Sequence, residues 1–438
     1  MIYLLDVVLI INFIVAYRYF KYLISPPVLL GMGMLFASLS ATINYQQWNM
    51  EETLLETVLI LGGGPSLFTL FCVIFYKKHI DRRKSILSVE LKDTKYLKTF
   101  LFVSLLIGII GLILKIQYYR SYFGGSTIPE LIFAFRLDQV SGDSTFTLPF
   151  YVGVLSKYTY IVAYVSSLIL SLLFVFDIKD AFLKILLFAV FLLSVINAML
   201  TGTKGAMMDI IVGLIILYII CLYSKIGSYR LPNVFYRRLI IIVMVFIFSF
   251  QGIGILLGRQ IEGRGNIDML SEYCGAQVKN FDIFMHGKDG NKKSIFLGED
   301  SFWSLYKAAN PKYVREQREF QYVKSHNLGN VYTQYYSFHK DFGYAGLIIM
   351  SLLIAIISMK VYNKVFYDMK TGNFTTLAMY IYVTMAFSLF MSFFSFRFSE
   401  NIFSANFVKN VVFYMFLMWL IRKCNIINIV NKINRQHE

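Results

Sequence analysis

An all-α protein that crosses a membrane many times is what three features of the sequence predict. Of its 438 residues, 57% are hydrophobic and only 16% are charged, against about 25% charged in ordinary soluble domains. Many segments of 16 to 24 residues hold at most one charge, and a helix needs about 20 apolar residues to cross the hydrocarbon layer. Lys and Arg cluster in alternate short connections, the pattern of a chain whose basic loops stay in the cytoplasm.

About eleven spans are expected, near residues 2–17, 24–43, 53–76, 99–116, 151–176, 181–200, 206–223, 239–257, 344–359, 374–394 and 407–421. The first has neither a basic leader nor a small-residue cleavage site, so it reads as a retained helix. Residues 77–98 hold eight Lys and Arg, residues 224–238 four, and the tail after Ile421 four. With alternating spans all three lie on one side, the cytoplasmic one, which puts the N-terminus outside and the C-terminus inside. The cytoplasmic segments hold 22 basic against 7 acidic residues, which accounts for all but one unit of the net charge of +16. Membrane topology and contact with anionic lipid explain that charge, so no nucleic-acid partner is expected.

Along the chain this gives an N-terminal transmembrane bundle of about eight helices (1–258), a large extracytoplasmic loop (259–341), about three C-terminal helices (342–421) and a basic tail (422–438). A shorter outer segment, 118–150, contains an amphipathic stretch at 128–140 that suits the interface plane. Gly62, Gly63, Gly64 and Pro65 interrupt the third span. They read first as a kink permitting close packing, and second as a groove for a lipid carrier. Gly254 and Gly258 read as a helix-packing pair. The four cysteines, Cys72, Cys221, Cys274 and Cys424, are not expected to form a disulfide, since only Cys274 falls in an oxidising compartment.

The large loop spans 83 residues and contains His286, His326 and His339. A transporter working at the midplane usually keeps its loops short, so a loop of this size argues for binding or chemistry outside the bilayer. At its end stand Asn330, Val331, Tyr332 and Thr333, then Asp341, Phe342, Gly343 and Gly346 at the start of an apolar helix. The D-F-G triplet also occurs in protein kinases, but the glycine-rich loop and H-R-D that a kinase needs are missing.

N-V-Y-T followed by D-F-G-x-x-G at the mouth of a late helix resembles the Wzy-type O-antigen and capsule polymerases, which join oligosaccharide repeat units. A second resemblance is Thr201-Gly-Thr-Lys-Gly-Ala206, where the family often shows T-G-S-R-G-A and this chain has Lys204. The resemblance implies a GT-C-like membrane glycosyltransferase acting on undecaprenyl-diphosphate-linked oligosaccharides at the periplasmic face of the bacterial inner membrane. A Wzz-type chain-length regulator and membrane lipids are its implied partners. The O-antigen ligase, with the same donor and another acceptor, and the lipid-linked oligosaccharide flippase, with no covalent chemistry, are the alternatives.

Such a transfer needs cations on the diphosphate leaving group and a base for the acceptor hydroxyl. Candidate cations are Arg259 and Arg264 at the end of the eighth span, Arg397 between the last two, and Lys204, which lacks the planar fork of arginine. Arg264 and Gly275 also fit an R-x10-G spacing proposed for some of these polymerases. Candidate bases are Asp341, His326, His339 and Glu400, with Asp341 equally suited to capping a helix. Asn330, Tyr332 and Thr333 are the expected substrate-loop residues. No cofactor is expected, and no metal either, because residues 44–52 offer only the adjacent Glu51 and Glu52 in place of a spaced carboxylate pair.

Overall fold

The computed structural model describes residues 1–77, 87–91, 94–140, 146–258, 265–287, 294–310, 312–316, 318–324, 326–423 and 427–431. Arg259, Glu262 and Arg264, Cys424, and the Arg82, Arg83 and Lys84 cluster lie outside the described residues. The chain is an all-α polytopic membrane protein, and among the described residues nine helices are long and apolar enough to cross a bilayer.

In chain order the elements are α1 (Ile2–Phe20), α2 (Pro26–Ile43), α3 (Leu55–Phe75), β1 (Leu87–Leu91), α4 (Thr94–Phe123), α5 (Ile128–Val140), α6 (Phe150–Val175), α7 (Ala181–Met199), α8 (Lys204–Ile226) and α9 (Asn233–Leu256). There follow α10 (Asn266–His286), α11 (Trp303–Ala309), β2 (Gln321–Val323), β3 (His326–Gly329), α12 (Gln334–Thr371), α13 (Leu377–Phe390), α14 (Arg397–Ile402), α15 (Ala405–Lys423) and β4 (Ile427–Asn431). The strands form two small antiparallel pairs, β1 with β4 and β2 with β3.

The nine spanning helices are α1 to α4, α6 to α9 and α12. The two remaining expected spans correspond to α13, which has 14 residues, and α15, which carries Lys409, Arg422 and Lys423. The large loop is more ordered than expected. It contains the 21-residue α10, and its last residues, 334–341, already belong to α12, so the loop boundary falls inside a helix. That helix breaks direction at Gly343 (φ 61°, ψ −149°), a conformation open to glycine because it has no Cβ.

Two compact units cut across the division read along the chain. One takes in Met1–Ile80, Gly265–Lys364 and Thr384–Val408; the other takes in Asp81–Arg264, Val365–Val383 and Lys409–Glu438. In the first, α2 begins with Pro26 and Pro27, residues preset for a first helical turn. It packs on α1, where buried Asp6 accepts hydrogen bonds from Ser38 Oγ (2.6 Å) and Thr42 Oγ1 (2.8 Å). Helix α3 continues across Pro65. A Cβ on Gly64 would overlap the Tyr335 ring, so close packing is the use the structure makes of the glycine run. Ser66 and Thr69 hydroxyls donate to the carbonyls of Gly62 and Pro65, both at 2.9 Å, the back-bonds to residue i−4 by which these side chains meet their own needs inside a helix.

In the second unit, α4, α6, α7 and α8 pack side by side. A core of Tyr119, Leu131, Ile132, Phe146, Leu200 and Leu257 ties α5 to them. Helix α5 coincides with the amphipathic stretch read from the sequence. Its start is a capping box: Glu130 accepts from the Ser126 and Thr127 backbone N–H groups while the Glu130 N–H donates to Thr127 Oγ1. Gly258 ends α9 with φ +71° and lies against Pro129 of α5, a close approach that a side chain would block.

Candidate active site at the head of α12

In the first unit α10 is buried almost all round from Cys274 to Asp282, including the polar Gln277, Lys279, Asn280 and Asp282. Gly275 lets it approach the α2 backbone at Ser40 and Ala41. Asp282 Oδ1 accepts from the Leu54 N–H and from Thr57 Oγ1, both at 2.9 Å, so α10 caps the start of α3. Its other oxygen pairs with Lys279 Nζ at 3.0 Å. Asn280 Nδ2 donates to the carbonyls of Leu328 (3.1 Å) and Val331 (2.9 Å). One helix therefore fixes both the bundle and the strand that delivers N-V-Y-T to α12.

Two aspartates organise the head of α12. Asp341 accepts from Ser294 Oγ, from the Asp300 N–H (3.1 Å) and from the Ser301 N–H (2.6 Å). Its carboxylate thus holds the 294–301 turn on the helix. Asp300 Oδ1 accepts from Arg315 Nη2 (2.8 Å) and Nε (3.2 Å); its Oδ2 accepts from Arg318 Nη2 and from Ser337 Oγ, both at 2.6 Å. Burial by itself would raise the Asp300 carboxyl. The charges of Arg318 and Arg315 outweigh it and hold the group well below the usual carboxylate range. Burial likewise disfavours the Arg318 cation, and Asp300, Tyr336 and Glu400 more than restore it.

Aromatic faces complete the cluster. The Arg318 guanidinium lies 4.7 Å from the Tyr336 ring centre and that of Arg315 lies 5.3 Å from Trp303, distances at which the ring quadrupole attracts a cation. Tyr332 stacks on Tyr336 at 4.5 Å. Burial pushes its phenol up to about 12, so its hydroxyl keeps its proton and donates to the Glu319 carbonyl (3.2 Å). Among the described residues, Arg318 Nε, Thr333 Oγ1 and Trp303 Nε1 are buried donors with no hydrogen-bond partner.

The residues picked from the sequence divide as follows. Asp341, Tyr332 and Thr333 fall in or beside this cluster, and Asn330 immediately precedes them on the strand exit. Arg397 pairs with Glu400 at 2.9 Å, close enough for Glu400 to act on Arg318. His339 is buried with its ring against Phe284 and Tyr344; His326 is half-buried in β3. Lys204 belongs to the second unit, where its buried ammonium sits 3.4 Å from the Phe250 ring centre. Sequence reasoning missed Asp300, Arg315 and Arg318. The available signal was a pair of arginines three apart following an acidic pair, Glu299 and Asp300, in a loop rich in aromatics. Among the described residues no three His, Cys, Asp or Glu side chains gather as a metal-binding group.

The arrangement is a dry, preorganised patch of guanidinium donors beside aromatic faces, suited chemically to an anionic group carried on a sugar or lipid. Comparison of the chain with family models, with curated proteins and with solved structures returned no match.

Proposed function

We propose that this protein is a membrane glycosyltransferase that joins polyprenyl-diphosphate-linked oligosaccharide repeat units into a polymer. The face bearing the head of α12 is then extracytoplasmic and the N-terminus lies outside, an orientation that the distribution of Lys and Arg supports; the membrane is then the bacterial inner membrane. One observation carries the reading: buried Asp300 held between Arg318 and the partly exposed Arg315, with Arg318 Nε unpartnered among the described residues, built into the segment that bears N-V-Y-T and D-F-G-x-x-G.

In this reaction an acceptor hydroxyl oxygen attacks the anomeric carbon of the donor. The bond from that carbon to the diphosphate oxygen breaks, and the leaving diphosphate takes the electron pair. Arg315 and Arg318 meet its charge, held by Asp300 so that little reorganisation is needed as that charge develops. Trp303 and Tyr336 offer ring faces beside the cations. The acceptor proton passes to a base. The candidates for that base are His326, His339, Asp341 and Glu400; Asp341 is engaged by three donors and Glu400 by Arg397.

Deleting the gene in its native host and separating the surface glycans on a gel tests this reading. The expected result is collapse of the ladder to core plus one repeat unit. A wild-type plasmid restores it, and an Arg318→Ala plasmid does not despite normal membrane levels. Polymer left on the lipid carrier would make the protein a ligase, and units trapped on the cytoplasmic side a flippase.

A further inference from the structure

We propose that the turn carrying Ile295, Phe296 and Leu297 is a membrane anchor that dips into the acyl edge of the bilayer beside α12. These three consecutive apolar side chains are 87%, 54% and 79% exposed, although they lie in a segment outside the spanning helices. In water that exposure opposes folding and invites aggregation. At a bilayer surface the same side chains lose their contact with water.

Position decides which partner covers them. Ser294 is tied to α12 twice, through its N–H to the Lys340 carbonyl (3.2 Å) and through its hydroxyl to Asp341. Beyond the tip, Gly298 (φ +75°) lies against Phe342 and Phe302, and the Asp300 and Ser301 N–H groups return to Asp341. Both feet of the turn therefore stand on residues 340–342. The exposed apolar stripe of α12 begins at once after them, with Tyr344, Ile348 and Ile349. Only three residues, across the break at Gly343, separate Asp341 from Tyr344, a chain length of at most about 11 Å, so the tip stands near the level where α12 meets lipid. A soluble partner would have to reach into the headgroup layer to cover it, whereas lipid is already there.

Asp341 acts here as the latch of the anchor. The turn that it holds continues into Asp300, so the depth of the anchor sets the height of the arginine cluster above the bilayer. This inference rests on the geometry of the turn and not on the reaction proposed above.

Site-directed spin labelling of the full chain in lipid nanodiscs tests it. A Cys424→Ser background leaves Cys72, Cys221 and Cys274, all buried. Nitroxides are placed at Ile295→Cys and Leu297→Cys, exposed positions whose replacement leaves the latch intact. Lys312→Cys, on an exposed residue of the same loop, is the aqueous control. The expected result is that oxygen relaxes the labels at 295 and 297 more than a water-soluble nickel chelate does, with that ratio reversed at 312. Dominance of the nickel chelate at 295 and 297 would overturn the proposal by placing the turn in water. Exclusion of both relaxants would overturn it too, by showing the turn covered with protein, such as a second copy of this chain.

Discussion

In the unit built on α1, α2, α3 and α10, buried charges face one another: Asp300 meets Arg315 and Arg318, and Asp282 meets Lys279. In the unit built on α4, α6, α7 and α8 the interior is mostly hydrocarbon. Helix α6 is buried without interruption from Ile161 to Leu173, and Tyr119 stacks on Phe135 at 4.7 Å. Buried ions occur there as well: Lys115 donates to the Asn197 carbonyl (3.3 Å), Asp209 accepts from the Tyr160 hydroxyl and Lys204 lies over the Phe250 ring. Paired ions add no more stability than well-packed apolar groups of the same volume. Their concentration around the head of α12 is therefore read better as a place prepared for a charged ligand than as a means of holding the bundle together.

The largest effect expected from this contrast is on Asp300. Asp300→Ala leaves the largely buried Arg318 guanidinium, and the partly exposed one of Arg315, without their carboxylate, a loss of about 3 kcal/mol, measured as denaturant unfolding of the full chain in detergent. Arg318→Lys keeps the charge but gives up the second half of the fork; it is expected to remain folded and lose glycan-ladder activity. In the hydrocarbon unit Leu168→Ala is expected to cost about 2–5 kcal/mol through the cavity it leaves, with no dependence on pH.

That last clause is where the two units separate. Asp300 is held below its ordinary value by Arg318 and Arg315, so its contribution is complete above the unfolded carboxylate value of about 3.9. It is lost as pH falls from there through the lower folded value. The stability difference between wild type and Asp300→Asn should hold steady from pH 8 to pH 5 and shrink below about pH 4. A difference that changes near pH 6 would point to a histidine instead. Smaller still, Gly64→Ala is expected to cost about 1–3 kcal/mol by overpacking against Tyr335, seen as a lowered melting temperature. Lys98→Ala removes a partly exposed pair with Asp180 (2.7 Å) and should cost under about 1 kcal/mol.

Hydropathy made the spanning helices legible because length and composition alone define them: α7 and the spans read at 181–200 start together, and α5 matches 128–140 at both ends. Helix α10 stayed hidden for a physical reason. Asp268, Glu272, Lys279 and Asp282 make it read as a polar loop, whereas partners more than 200 residues away, at Leu54, Thr57 and Asn49, are what allow Lys279 and Asp282 to be buried. The same holds for the site. N-V-Y-T and D-F-G drew attention to the head of α12, where the Asp300 cluster is built. Nothing local, however, marks Asp300 as the carboxylate that joins Arg315, Arg318 and Ser337, nor Asp341 as the acceptor that holds a turn. Arg259 and Arg264, two of the four cations read from the sequence, lie outside the described residues, and Lys204 falls in the other unit.

The most direct measurement is to reconstitute the purified chain in liposomes with a polyprenyl-diphosphate oligosaccharide as sole substrate and follow the lipid-linked products by mass. The expected result is a series of longer glycans, with one polyprenyl diphosphate released for each linkage formed and no series from the Arg318→Ala protein. Unchanged substrate in the presence of folded wild-type protein, or its movement across the bilayer without elongation, would contradict the assignment.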